Sequence, residues 1–262
     1  MGIETLAKGK YRAELDGLRA FAVIAVIINH FNKDLLPSGY LGVDIFFVIS
    51  GYVITSSLDG RKSINFLDFI SGFYQRRVKR LLPALSFYIL LTSILTHLFI
   101  QNASNYYLTA ATSILGFSNI YLTIKSVGYW GIDAMMNPFI HTWSLGVEEQ
   151  FYFIFPFLIW FSGFGKQTNK SYRSLSIVIF FISLISFIYY LYLHLYSNNQ
   201  SAIYFLMPNR FWEMATGCLA FIIWKKKGIF FNNIKKISSS AVLISIIAVF
   251  FCQYLIVYFL QF

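Results

Sequence analysis

Charge is what this sequence has least of. Only 12% of its 262 residues are Asp, Glu, Lys or Arg, about half the share that a soluble domain carries. With 57% hydrophobic residues, that scarcity excludes a single water-soluble core and leaves an all-α, polytopic membrane bundle. Cysteine is nearly absent too. The two present, Cys218 and Cys252, both lie inside apolar runs, which excludes a disulfide framework or a cysteine-based metal site. The first apolar stretch follows Glu14 and Asp16 and lacks a small-residue cleavage site. A cleavable leader is therefore not expected, and the stretch reads as a retained first span. No internal repeat stands out.

What is present is a series of apolar runs. They predict spans at 18–33, 40–57, 82–100, 142–163, 175–195, 204–224 and 238–260. A further run, 106–124, is apolar but dotted with Thr, Ser and Asn. It reads as a crossing, a re-entrant segment or an interfacial one, for about seven or eight spans in all. The chain is read as one transmembrane domain over 1–262, ending at the close of a span and so C-terminally incomplete.

The net charge of +10 sits in short basic runs between apolar segments. If 106–124 does not cross alone and the N-terminus is cytoplasmic, every Lys and Arg except Lys33, Lys125 and Arg210 falls on the inside. A single crossing there would split the basic residues almost evenly. This distribution predicts a multi-pass membrane protein with a cytoplasmic N-terminus and argues against a nucleic-acid partner. The inner segment 61–81 has an amphipathic pattern, and Pro83 is expected to open the next span.

Five constellations carry possible chemistry. On the first span, Arg19 and His30 are eleven residues apart, which returns to nearly the same helical face about 16 Å further along, with Asp16 nearby. Imidazole suits proton abstraction from a hydroxyl; the alternative is a positive-inside anchor and an interfacial histidine. On the second span, Asp44 falls near the expected depth of His30, where a carboxylate can orient the ring or pair with some other cation. In the stretch His141-Thr-Trp-Ser-Leu-Gly-Val-Glu148-Glu149-Gln-Phe-Tyr152, His141, Ser144, Glu148 and Tyr152 share one helical face, with Glu149 turned about 100° away. Ionisable groups at the mouth of a membrane helix read as functional by default. The spacing is not a zinc signature, and no metal is expected. Arg210 and Glu213 are neighbours at the head of a later span, as substrate contacts or as a helix-end ion pair. Arg76, Arg77 and Arg80 form a basic cluster suited to phosphates or to anionic headgroups.

Together these pieces resemble the membrane-bound acyltransferase-3 family, the O-acetylases of bacterial surface polysaccharides. The matching stretches are Glu14 to Ala20 followed by His30, Gly42 to Tyr52, Phe73 to Pro83, Asn137 to Tyr152 and Arg210 to Gly217. The Asn137–Tyr152 stretch looks most like the branch that carries a C-terminal SGNH domain, of which none follows here.

The resemblance implies an acyl-CoA donor, commonly acetyl-CoA, and a hydroxyl of a cell-surface glycan as acceptor, in O-antigen, exopolysaccharide or peptidoglycan. It maps the family's activity-linked arginine and histidine onto Arg19 and His30, and its arginine cluster onto Arg76, Arg77 and Arg80. The expected scheme has CoA phosphates at Arg76, Arg77, Arg80 and Arg19. His30 acts as base or transient acyl carrier beside Asp44. His141, Ser144, Glu148, Glu149, Arg210 and Glu213 face the acceptor. The family's membrane unit has about ten spans, more than are counted here. A transporter or flippase of a polar or lipid-linked substrate is the rival reading, and a non-catalytic membrane subunit is the third.

Overall fold

A computed structural model of the chain describes residues 13–59, 61, 63–100, 103–125, 136–164, 168–197 and 199–230. Every regular element among the described residues is helical. They are α1 (Ala13–Phe31), a 3-10 turn (Gly39–Leu41), α2 (Gly42–Leu58), α3 (Phe66–Phe99), α4 (Ser104–Ile114) and α5 (Ser118–Lys125), then α6 (Thr142–Phe161), α7 (Asn169–Tyr196), α8 (Gln200–Phe205) and α9 (Met207–Phe230). Among the described residues, three stretches are long and apolar enough to cross a membrane: Gly39–Leu58, Phe66–Phe99 and Asn169–Tyr196. The expected span at 238–260 lies outside the described residues. The chain divides into two compact units, one of Met1–Ser57 with Glu213–Phe262 and one of Leu58–Trp212.

The first unit is built on close backbone approach. Ala22, Ala25 and Asn29 form the buried stripe of α1, while Phe21, Ile24, Ile27 and Phe31 project outward. That is the reverse of a water-soluble helix and normal for one whose other solvent is lipid. Glycines meet the small stripe. A Cβ at Gly39 would strike the Ala25 carbonyl oxygen, and one at Gly42 the Ala22 carbonyl oxygen. On another side of α2, Gly51 lies against the backbone of Met214, and Gly217 against the Val48 carbonyl and the Tyr52 amide nitrogen. The Thr55 hydroxyl (2.8 Å) and the Cys218 thiol (3.4 Å) both donate to the Gly51 carbonyl oxygen.

The second unit is framed by α3 and α7. Asn65 caps α3 by accepting the Asp68 amide (2.8 Å), and Asp68 accepts the Ile64 amide in return (3.0 Å). This reciprocal arrangement satisfies two donors at the helix start. Thr168 and Ser171 form the same kind of box at the start of α7. The expected break at Pro83 is corrected here. Pro83 lies inside a continuous helix of 34 residues, because the segment 61–81 and the span 82–100 share one helical run. Proline there removes one intrahelical donor without ending the helix. At 1.5 Å per residue α3 is about 51 Å long, well beyond the ~30 Å hydrocarbon core. Arg80 to Phe99 alone covers about 29 Å, so the basic cluster sits at one end of the apolar part.

The run 106–124 resolves into α4 and α5, of 11 and 8 residues. Neither is long enough to cross alone. The chain turns between them at Gly116, whose φ of 74° suits glycine. The run 204–224 is likewise broken, with α8 ending at Phe205 and α9 opening at Met207, one residue before Pro208, a usual helix-start position for proline.

Candidate functional site

In the first unit, α1 carries the predicted stripe on one unbroken helix. The Arg19 side chain is 21% exposed and that of Asp16 is 53% exposed, with Nη1 and Oδ1 at 4.0 Å. The Arg19 guanidinium carbon stands 5.9 Å from the Phe46 ring centroid, and its Nε is buried without a hydrogen-bond partner. A half-buried guanidinium with an unmet donor is an electrostatic resource. Asp44 is buried in the first turn of α2.

His30 is on the exposed side of α1, and its Nδ1 lies 2.9 Å from the Val26 carbonyl oxygen. If that nitrogen carries the proton, Nε2 is the basic nitrogen of the ring. The buried polar residue at this end of α1 is instead Asn29, which sequence reading passed over. Its Nδ2 donates to the carbonyls of Leu36 (2.8 Å) and Pro37 (3.1 Å), which fixes the turn leading into Gly39. Position 29 lies off the Arg19–His30 face and i+7 from Ala22, on the small-residue stripe.

In the second unit, the arginine cluster and the Glu-Glu segment meet. The Arg77 guanidinium carbon is 3.6 Å from the Tyr152 ring centroid, close enough for a strong cation–π contact. The Tyr74 hydroxyl donates to the Phe153 carbonyl oxygen at 3.0 Å, tying α3 to α6. Arg76 and Arg80 are exposed. One arginine of the cluster is therefore held in place, and two face outward.

On α6 the predicted face splits by depth. Glu148 and Tyr152 are buried, at 7% and 2% exposure. Ser144 is half-buried and donates to the His141 carbonyl oxygen of its own helix (3.2 Å), and His141 is exposed. Arg210 is 6% exposed and Glu213 is 1% exposed, so neither belongs to an ordinary surface pair at a helix end. Arg210 is wrapped within the second unit. Its Nε donates to the Tyr204 carbonyl oxygen (3.2 Å), and its guanidinium carbon is 4.7 Å from the Tyr204 ring and 5.9 Å from the Trp143 ring. Taking such charges out of water costs several kcal/mol each, and in apolar helices they mark function by default.

The larger omission is a seam of uncharged polar groups joining α4 and α5 to α6. Asn137 Nδ2 donates to Thr109 Oγ1 (2.8 Å), and Ser113 Oγ shares a hydrogen bond with Thr142 Oγ1, 2.6 Å away. Ser118 donates to the Thr142 carbonyl oxygen (2.9 Å). Asn119 and Gln150 exchange amide hydrogen bonds of 3.3 and 2.8 Å, and Asn119 also donates to the Phe205 carbonyl oxygen (3.1 Å). Gly146 makes the approach possible, since a Cβ there would lie 2.8 Å from Asn119 Oδ1. The Thr, Ser and Asn content of 106–124 was the visible signal. Among the described residues no group of three or more His, Cys, Asp or Glu gathers that could hold a metal ion.

Comparison with known proteins fits these features. O-acetyltransferase OatA of Staphylococcus aureus is 37% identical over 231 residues, covering 85% of this chain and 36% of the relative. The putative peptidoglycan O-acetyltransferase YrhL of Bacillus subtilis is 36% identical over 229 residues, covering 86% of this chain and 35% of the relative. The chain thus spans about a third of the length of these curated relatives. No solved structure matches. The model of the acyltransferase domain matches residues 12–261, essentially the whole sequence, and the chain belongs to the acyltransferase-3 family.

Proposed function

We propose that the chain is the membrane-embedded transfer module of an O-acyltransferase. It moves an acyl group, acetyl in the simplest case, from acyl-CoA to a glycan hydroxyl. The family match over residues 12–261 carries this reading. The buried and half-buried charges of Arg19, Asp44, Glu148, Arg210 and Glu213 support it. Among candidate acceptors, the name of the Bacillus relative favours peptidoglycan. The reading includes a seven- or eight-span topology in the inner membrane with a cytoplasmic N-terminus, as the basic-residue distribution favours.

In this scheme each unit has its own task. In the first, Arg19 holds the donor through its unmet Nε, and the ~16 Å to His30 along α1 matches an extended pantetheine arm. His30 Nε2 takes the proton from the acceptor hydroxyl as its oxygen attacks the thioester carbonyl. The tetrahedral intermediate collapses, the carbon–sulfur bond breaks, and CoA thiolate leaves to be protonated. Asp44 orients and charge-stabilises the ring. In the second unit, Arg76, Arg77 and Arg80 attract the CoA phosphates. Glu148, Glu149, Ser144, His141 and Arg210 bind sugar hydroxyls there, and Glu213 of the first unit has the same task.

The test is label transfer from acetyl-labelled acetyl-CoA to isolated peptidoglycan in membranes carrying wild type or His30→Ala at matched expression. Transfer lost in the variant is expected. Equal transfer in both would remove His30 from the chemistry. No transfer by wild type would remove the acyltransferase reading itself.

A further inference from the structure

Arg61 is a residue that neither the family motifs nor the scheme above uses. It lies in the connection before α3, and its guanidinium carbon stands 5.5 Å from the Phe69 ring centroid. Its Nη2 is the nearest atom to the point where a Gly72 Cβ would stand, and Arg76 Nη1 lies 3.7 Å from that same point. Two guanidinium groups thus converge over a patch of bare backbone. Nη1 of Arg61 is buried without a hydrogen-bond partner.

Like charges do not gather without compensation. Burial first, then the Arg76 charge, lowers the Arg61 pKa from its ordinary value, against an opposing pull from Asp68. The Asp68 carboxylate is engaged locally, accepting the Ile64 amide at 3.0 Å. An oxyanion with several acceptors would suit the pair. Each guanidinium presents a planar fork of donors matched to phosphate oxygens. Gly72 leaves the space in which the Arg61 guanidinium lies.

We propose that Arg61 and Arg76 form an anion site over Gly72 that takes the phosphate groups of a nucleotide coenzyme. The identity of the coenzyme as CoA rests on the acyl-CoA reading above. The same chemistry would suit a phospholipid headgroup, and the experiment separates the two.

Binding of inorganic pyrophosphate is measured by calorimetry on the purified full chain in uncharged detergent micelles. Arg61→Gln and Gly72→Ala are each expected to weaken binding by about tenfold, the loss of one charged hydrogen bond or more. Arg173→Gln removes the same charge from an exposed site on α7 and is expected to bind as wild type does. Arg61→Gln indistinguishable from Arg173→Gln, or a wild type that does not bind pyrophosphate, overturns the site. CoA is expected to displace pyrophosphate from wild type. Displacement by phosphatidylglycerol in nanodiscs but not by CoA overturns the coenzyme as occupant. Acetyl transfer read in parallel keeps the two ideas apart. Transfer without Arg61-dependent binding sinks this site alone, and Arg61-dependent binding without transfer sinks the acyltransferase reading alone.

Discussion

The closest backbone approach in the first unit sets a sharp expectation for two alanines. A Cβ at Gly51 would lie 2.7 Å from the Met214 carbonyl carbon and 3.0 Å from its Cα. One at Gly217 would lie 2.8 Å from the Tyr52 amide nitrogen and 2.9 Å from the Val48 carbonyl carbon. Each obstacle is backbone, so relief requires α2 and α9 to part rather than a side chain to rotate. Overpacking of this kind costs about 1–3 kcal/mol. Separation would also strain the Cys218–Gly51 hydrogen bond of 3.4 Å. For a domain of this size each kcal/mol shifts the melting temperature by about 2–4 °C. Gly51→Ala and Gly217→Ala should therefore each lower it by several degrees in detergent micelles, followed by intrinsic fluorescence. The double variant should lose less than the sum, since helices already parted by one methyl meet the second at lower cost. Gly17→Ala is the control. Nothing lies within 4 Å of its Cβ position on α1, and helix propensity favours alanine there by up to about 1 kcal/mol. If Gly51→Ala melts with wild type or above Gly17→Ala, α2 and α9 are not packed backbone to backbone.

Other outcomes follow from the second unit and from the proposed chemistry. Asn119→Ala and Gln150→Ala should each destabilise by about 1–3 kcal/mol, because each leaves a buried amide partner unmet; a double-mutant cycle in chemical denaturation should report positive coupling, and additive losses would deny the amide exchange. Tyr152→Leu should cost about 0.5–2 kcal/mol beyond its packing loss through the Arg77 contact. The excess should vanish in an Arg77→Gln background, and its persistence would refute the cation–π assignment. Arg19→Ala and Asp44→Ala should each abolish label transfer while leaving expression unchanged. Wild-type rates in both would refute the roles given to them.

Much of this architecture is legible in the residue pattern. The apolar runs at 40–57 and 175–195 fall within the helical stretches Gly39–Leu58 and Asn169–Tyr196, because long apolar runs in lipid favour helices. Pro83 was misread because a proline in the first turn and one in mid-helix look alike until the preceding 17 residues are known to be helical. The arginine cluster was legible as a cluster. Its internal division was not, since the contact of Arg77 with Tyr152 joins positions 75 apart in sequence. The polar seam was visible only as a compositional oddity of 106–124. Its partners on α6 are set by tertiary packing, which local periodicity does not encode. Asn29 and Arg61 were missed for a related reason, as each is defined by a neighbour's missing side chain or a backbone carbonyl.

The seam between α5 and α6 also imposes an order in time. Among the described residues, every hydrogen-bond partner that the Ser118 and Asn119 side chains find outside their own helix comes later in the chain, at Thr142, Gln150 and Phe205. The hydroxyls of α4 donate to carbonyls of their own helix, but while the ribosome is still short of Gln150 the Asn119 amide on α5 lacks these partners, and lipid cannot supply them. Its docking therefore waits for α6. Insertion of this region is then a delayed docking event, in which the Glu-Glu helix that bears the candidate chemistry also serves as the template on which its predecessors settle.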